Sequence, residues 1–330
     1  MQMTMIEALN NALTLELERD KRVVLLGQDI GVNGGVFRVT EHLQSKFGEK
    51  RVFDTPLSES AIIGSAVGMA VYGLRPVAEI QFAGFLFVCM NQLVSQAARM
   101  RFRSGGVFTC PMVVRAPYGG GVRTPELHSD SLEGIFLQTP GLKVVIPSTP
   151  ADAKGLLASA IVDPDPVLFL ENIKLYRSFR QETPEDHYLI PLGKAKTVQE
   201  GTDVSVFAYG AMVQVALEAA KQARAEASSH PYGTSVEVID LRTVWPLDEE
   251  AIVASVEKTG RAVVVHEAPR AGGIGAEVTA IINEHCLYSL LKPVGRITGY
   301  DTPYPVPGQE DYYLPTPAKV LAAIREVMEP

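Results

Sequence analysis

Short apolar runs alternate along this chain with longer stretches of helical spacing. Val23 to Leu26, Val77 to Ile80, Met112 to Val114, Val144 to Ile146 and Val167 to Leu170 follow the strand–helix–strand pattern of a mostly parallel sheet. Ahead of them, Met5, Ile6, Ala8, Leu9, Ala12 and Leu13 recur at helical spacing with acids among them, which predicts an amphipathic helix rather than a secretory signal. From Glu182 to Pro191 the chain turns polar and proline-containing, and a second alternation begins. It predicts strands over Val204 to Ala208, Val236 to Leu241 and Ala262 to Val265, with helices over Val213 to Ala227 and Pro317 to Met328. Two doubly wound α/β domains are expected, 1–187 and 188–330. Ser228 to Thr234, rich in turn formers, reads as a surface loop in which His230 needs no role.

One junction carries an acid. Arg51 to Phe53 reads as a strand end, Ser58 as an N-cap, and Ala61, Gly64, Ala66, Gly68 and Ala70 as a smooth helix able to pack closely on neighbours and to be buried. Glu59 therefore sits at a helix mouth, where it either complements the helix dipole and free N–H groups or carries chemistry. His128 lies in a Gly- and Pro-rich loop, Gly119 to Glu133, beside Glu126, Ser129 and Asp130. Alone it is a solvated surface group; with a partner in a cleft it is an acid–base group. Ile80 to Phe87 places Phe82, Phe85 and Phe87 after a strand, where core packing is the plain reading. Ala160, Ile161, Asp163 and Asp165 form a helix-to-strand turn before Pro166, a turn by composition and also a set of oxygens of the kind a hard cation takes. Gly272-Gly273-Ile274-Gly275 lacks the third glycine of a dinucleotide loop, so it is read as a close strand-to-helix turn and no nicotinamide cofactor is assigned.

Composition narrows the class. At 330 residues, with 46% hydrophobic and 21% charged content, the chain can bury two cores and is not disordered. A net charge of −8 argues against nonspecific nucleic-acid binding and favours a basic partner; Arg99, Arg101 and Arg103 are read as a solvated or subunit-facing helix end. Cys89, Cys110 and Cys286 are too few and too far apart for a disulfide framework or a zinc site, and are read as small core residues. No uncharged apolar stretch approaches the roughly 18 residues a membrane span needs, so the expectation is a soluble, cytoplasmic protein.

Taken in order, Leu25-Leu26-Gly27-Gln28-Asp29-Ile30-Gly31, Phe53 to Glu59, Pro125-Glu126-Leu127-His128-Ser129, Gly141 to Pro147, Asp152 to Leu156 and Val238 to Val244 resemble one family over nearly the whole chain. It is the β subunit of the thiamine-diphosphate-dependent first component of 2-oxo acid dehydrogenase complexes. The resemblance implies a transketolase-like pyrimidine-binding domain followed by a transketolase C-terminal domain. It implies that Glu59 shares a proton with the distal aminopyrimidine nitrogen, in a dry surrounding supplied by Leu57 and the aromatic run. Phe85 would pack on the aminopyrimidine and Gln81 would line the same pocket, with Phe82 and Phe87 left in the core. His128 would stand at the active-site mouth and position the 2-oxo acid and the incoming lipoyl group. A structural potassium ion is implied at Ala160, Ile161, Asp163 and Asp165, with a carbonyl near Met112, although Asp165 stands where many relatives have Asn. Gln28 and Val88 occupy positions where close relatives often carry acids that link paired sites.

The Gly-Asp-Gly and Asn-Asn motif that holds magnesium on the diphosphate is absent. The resemblance therefore implies an α subunit that supplies it in an α2β2 heterotetramer, and an isolated chain without activity. It also implies an acidic surface for the peripheral-subunit-binding domain of the lipoyl acyltransferase, with Glu277, Glu284, Glu326 and Glu329 as helix-borne candidates. Glu126 to Gly134 and Asp152 to Glu182 look most like the pyruvate branch, of bacterial type. A branched-chain acid such as 2-oxoisovalerate, or acetoin, is the alternative substrate, and a split transketolase half or a noncatalytic scaffold the alternative class.

Overall fold

The structure, a computed structural model, describes residues 1–226 and 234–329. His230 and the rest of 228–233 lie outside the described residues, as does Ala227 at the expected end of a helix. Among the described residues seven strands make one sheet. Val52–Asp54, Val23–Gly27, Arg75–Glu79, Val113–Tyr118, Val167–Asn172 and Lys143–Val145 run parallel in that spatial order. Helices cover both faces of such a sheet, which is why every residue of Val23–Gly27 and Val167–Asn172 is buried. The Met5–Arg19 helix packs on Pro150–Val162 over one face. Thr4 and Glu7 close a capping box at the start of the first, and Thr149 caps the second ahead of Pro150.

The seventh strand comes from the far half of the chain. Thr243–Trp245 pairs antiparallel with Lys143–Val145 and covers what would be an open sheet edge. Around it, Ser148 donates to Asp240, Arg242 donates to Asp152, and the Ile146 amide reaches the Arg242 carbonyl at 2.7 Å. Two stretches that stand apart in the sequence, Gly141 to Pro147 with Asp152 and Val238 to Val244, are thus one contact.

Five strands form the second sheet, in the order Gly295–Ile297, Ala262–Val265, Val204–Ala208, Val236–Asp240 and Lys196–Gln199; the last is antiparallel and the others parallel. Alternate residues point to opposite faces. Val204, Val206 and Ala208 join the core under the Ala211–Glu226 and Pro317–Met328 helices, while Phe207 and Val264 join the core under Glu249–Thr259 and Ile274–Cys286. The 187/188 division falls between Gln181–Glu182, which pairs with Gln2–Met3, and Lys196–Gln199. All three cysteines are buried, and no described helix is long and apolar enough to cross a membrane.

Candidate active site

The chain leaves Val23–Gly27 for Val52–Asp54 on one side, then crosses to Arg75–Glu79 on the other. Strand order therefore reverses at Val23–Gly27, and the crevice outside the carboxyl ends of such strands is where open α/β sheets take ligands. Asp29 and Gln81, each two residues beyond the strands flanking this point, meet across it: Gln81 Nε2 donates to Asp29 Oδ2 at 3.3 Å. Asp29 adopts a left-handed conformation, φ 59°, which turns its carboxylate there. Gln28, beside it, is half-buried.

Glu59 is the first residue of the Glu59–Val71 helix and is half-buried. Ser58 occupies the N-cap position, but contrary to expectation its side chain makes no capping bond; it is Ser60 whose hydroxyl donates, to the Val88 carbonyl at 2.6 Å. That bond ties the helix start to the 3-10 turn Ala83–Cys89. Only one face of this helix is buried, through Ile62, Ile63, Ala66, Val67 and Ala70. Ala61, Ser65, Gly68 and Tyr72 form an exposed stripe, and a Cβ at Gly68 would meet nothing within 4 Å. Leu57 is 70% exposed, so within this chain it supplies no dry surrounding for Glu59.

The aromatic run divides differently from the expectation. Phe82 is buried as expected, but Phe87 is 49% exposed and belongs to no core. Phe85 is half-buried and stands edge-on to Phe82, with ring centroids 6.1 Å apart. Both hold His128, at 4.2 Å from Phe82 and 5.4 Å from Phe85. The loop can sit this close because residue 84 is glycine; a Cβ there would stand 2.2 Å from the Leu127 carbonyl oxygen. His128 Nδ1 is buried and has no partner among the described residues, an unmet requirement that a bound polar group would satisfy.

The turn offered for a cation carries cations of its own. Lys143 Nζ donates to both Asp163 carboxylate oxygens at 2.7 and 2.8 Å, and Arg101 Nε to Asp165 at 2.7 Å. Arg75 Nη1 donates to the Ile161 and Asp163 carbonyls at 2.7 and 3.2 Å, and the Met112 carbonyl receives the Val167 amide at 3.0 Å. Each of these carbonyls keeps a second lone pair, so a further ion would be held by carbonyl oxygens, Ala160 included, and not by free carboxylates.

Several groups near the site go beyond those the sequence pattern points to. Arg115 donates to Glu79 at 2.7 Å and to Glu171 at 2.6 and 2.8 Å, and Tyr176 donates to Glu171 at 2.6 Å, all buried beneath the strand ends. Burial alone would lower the Arg115 guanidinium, but the Glu171 and Glu79 carboxylates outweigh it and hold it above its ordinary value. The sequence does carry a signal for them: charged residues inside otherwise apolar strands. Glu267, just past a strand of the second sheet, and Glu133, at the start of the short Glu133–Phe136 helix of the N-terminal half, are buried carboxyls, and burial raises both. Glu277, Glu284, Glu326 and Glu329 are all exposed, though Glu329 caps the last helix instead of lying on it. Arg99, Arg101 and Arg103 are exposed too, with Arg101 engaged by Asp165. The Gly272 to Gly275 segment links Ala262–Val265 to Ile274–Cys286 around the enclosed His266.

Residues 1–178 match the family described as transketolase, pyrimidine binding domain, and residues 193–320 match transketolase, C-terminal domain. The chain is 56% identical to the pyruvate dehydrogenase E1 component subunit beta of Staphylococcus aureus (strain Mu50 / ATCC 700699) and 57% identical to that of Bacillus subtilis (strain 168), covering 99% of both sequences in each pair. Among solved structures it resembles a split gene transketolase described as an inactive beta4 tetramer, with a TM-score of 0.78, 24% identity, and coverage of 99% of this chain and 98% of that one. At that identity the likeness speaks to the fold.

Proposed function

This chain belongs to the family of pyruvate dehydrogenase E1 component β subunits, and from that membership we propose that it works with an α subunit to decarboxylate pyruvate oxidatively and pass the acetyl group to lipoamide. The observation that carries the reading is the Asp29–Gln81 pairing at the switch point, beside an acidic helix start and a histidine with a buried, unpartnered nitrogen. Such a crevice fits thiamine diphosphate. When bound, that cofactor supplies a thiazolium carbon able to add to a 2-oxo acid and to accept the charge released with carbon dioxide.

The chain's own residues then have distinct tasks. Glu59 holds a proton at the distal aminopyrimidine nitrogen. Gln81, held by Asp29, and Phe85 would line the pocket that takes the aminopyrimidine, with Leu57 at its edge. His128, its ring clasped by Phe82 and Phe85, orients the 2-oxo acid and the lipoyl group through its unpartnered nitrogen. The α subunit would hold magnesium and the diphosphate in an α2β2 heterotetramer. The exposed Ala61, Ser65, Gly68 and Tyr72 stripe, with Leu57, Phe87 and Val88 beside it, supports a partner covering this face, and covering Leu57 would supply the dry surrounding that Glu59 lacks. The exposed Glu277, Glu284, Glu326 and Glu329 are proposed to meet the basic peripheral-subunit-binding domain of the acyltransferase, and a potassium ion to sit on the Met112, Ala160, Ile161, Asp163 and Asp165 carbonyls. We also place the two folding units at 1–187 and 188–330, one strand exchanged between them.

The test is Glu59→Gln in the assembled heterotetramer. An amide cannot hold the required proton, so decarboxylation should fall about 100-fold or more with assembly intact. Near-normal decarboxylation by that variant would remove Glu59 from the mechanism. Replacing potassium by sodium in the wild-type assay reads the cation: an unchanged rate and thermal midpoint would delete it.

A further inference from the structure

The loop carrying His128 is anchored by the opposite half of the chain. Val113–Tyr118 ends, Gly119 turns at φ 82°, and the Gly120 amide donates to Glu267 Oε2 at 2.9 Å. Asn172 Nδ2 donates to the other oxygen, Oε1, also at 2.9 Å, while Asn172 Oδ1 accepts the Lys174 amide at 3.1 Å. The fit leaves no space: a Cβ on Gly119 would stand 2.8 Å from Glu267 Oε2 and 2.5 Å from Asn172 Nδ2. At the loop's far end Tyr209 donates to Glu133 at 2.6 Å. Glu267 lies just past the Ala262–Val265 strand, faced by Glu133, Lys174, Tyr118, Tyr209, Tyr304 and Tyr313, and burial pushes it up to about 7. No step assigned above uses it.

We propose that Glu267 is a positioning residue for His128: by accepting from the Gly120 amide and from Asn172, it fixes where the His128 loop leaves the first sheet, so the C-terminal half sets the geometry of a site built on the N-terminal half. The inference rests on the role given to His128. An amide at position 267 keeps one acceptor and turns a donor toward another donor, so the loop origin must shift. Displacement of a catalytic group by a fraction of an ångström is felt in the transfer step.

The experiment uses the α2β2 holoenzyme with Glu267→Gln and His128→Ala, assayed for decarboxylation with an artificial electron acceptor and for acylation of lipoyl domain. Glu267→Gln should lower lipoyl acylation about 10-fold. The two reactions should be affected in the same proportion as in His128→Ala, with thiamine diphosphate affinity unchanged. Adding Asn172→Asp gives the amide introduced by Glu267→Gln an acceptor and should restore most of the loss. If Glu267→Gln does not assemble, Asn172→Ala removes one of the two donors and should show the same proportion. Wild-type acylation by Glu267→Gln, losses in a proportion different from that of His128→Ala, or no rescue by Asn172→Asp overturns the proposal while leaving His128 in place. Wild-type acylation by His128→Ala overturns the role of His128 and the positioning claim with it.

Discussion

Burial decides the protonation state of His266. Its ring is fully enclosed, Nδ1 lies 3.0 Å from the Ala268 carbonyl, and Nε2 has no partner among the described residues. Burial, with Arg296 and Arg270 adding to it, lowers the ring from 6.5 to about 4. Between those values the unfolded chain binds a proton that the folded chain refuses. The contribution is therefore complete above about pH 6.5, is lost as pH falls toward 4, and amounts to about 3 kcal/mol. Glu267 and Asp240, which burial pushes up to about 7, act with the opposite sign: they favour the folded chain at low pH and lose that advantage as pH rises toward 7. The denaturant-midpoint advantage of wild type over His266→Gln should therefore widen as pH rises from 4 to 6.5, whatever the carboxyls do to both curves; a constant difference would refute the assignment. At this scale the sequence is legible where a residue's meaning is local. Glu59 stands out by the strand before it and the smooth helix after it. Glu267 does not, because its partners Gly120 and Asn172 are 147 and 95 residues away.

Among the elements, the segment from Ala83 to Ala97 changes character where helical spacing cannot show it. A 3-10 turn, Ala83–Cys89, gives way to a π-helix, Asn91–Ala97, a form concentrated at functional sites. The packing of that 3-10 turn against Glu126–His128 depends on Gly84. Gly84→Ala should force the His128 turn away, lower stability by about 1–3 kcal/mol, and weaken lipoyl acylation with it. Thermal unfolding and acylation of the assembled variant check this, and a wild-type result in both would show that the turn is not held there. The long buried strands are readable because burial on both faces leaves an uninterrupted apolar run, as in Val23–Gly27 and Ala262–Val265. Thr243–Trp245 is not, since three residues make no pattern and their pairing with Lys143–Val145 is set by tertiary contact. The capping expectation fails at Ser58 for a similar reason: its backbone, φ −162° and ψ 87°, leaves no side-chain capping bond.

For the whole molecule, doubly wound order and the direction of the strands put one crevice at the carboxyl ends of Val23–Gly27 and Arg75–Glu79. The face beside it exposes Leu57, Tyr72, Phe87 and Val88 at 70%, 91%, 49% and 56%. That exposure is not legible in the sequence. Small residues along Glu59–Val71 fit a buried helix as well as one awaiting a partner, and only the three-dimensional surroundings of Gly68 tell them apart. If this chain is half of a 2-oxo acid dehydrogenase site, its activity must depend on the other half. The direct measurement is thiamine-diphosphate-dependent decarboxylation and lipoyl-domain acylation by this chain alone and with its α subunit, on pyruvate, 2-oxoisovalerate, acetoin and a ketose phosphate. No turnover is expected from the chain alone, and turnover with pyruvate preferred is expected from the heterotetramer. A cofactor-loaded heterotetramer that is silent on pyruvate, or a chain that turns over unaided, would show that the site is not divided in this way.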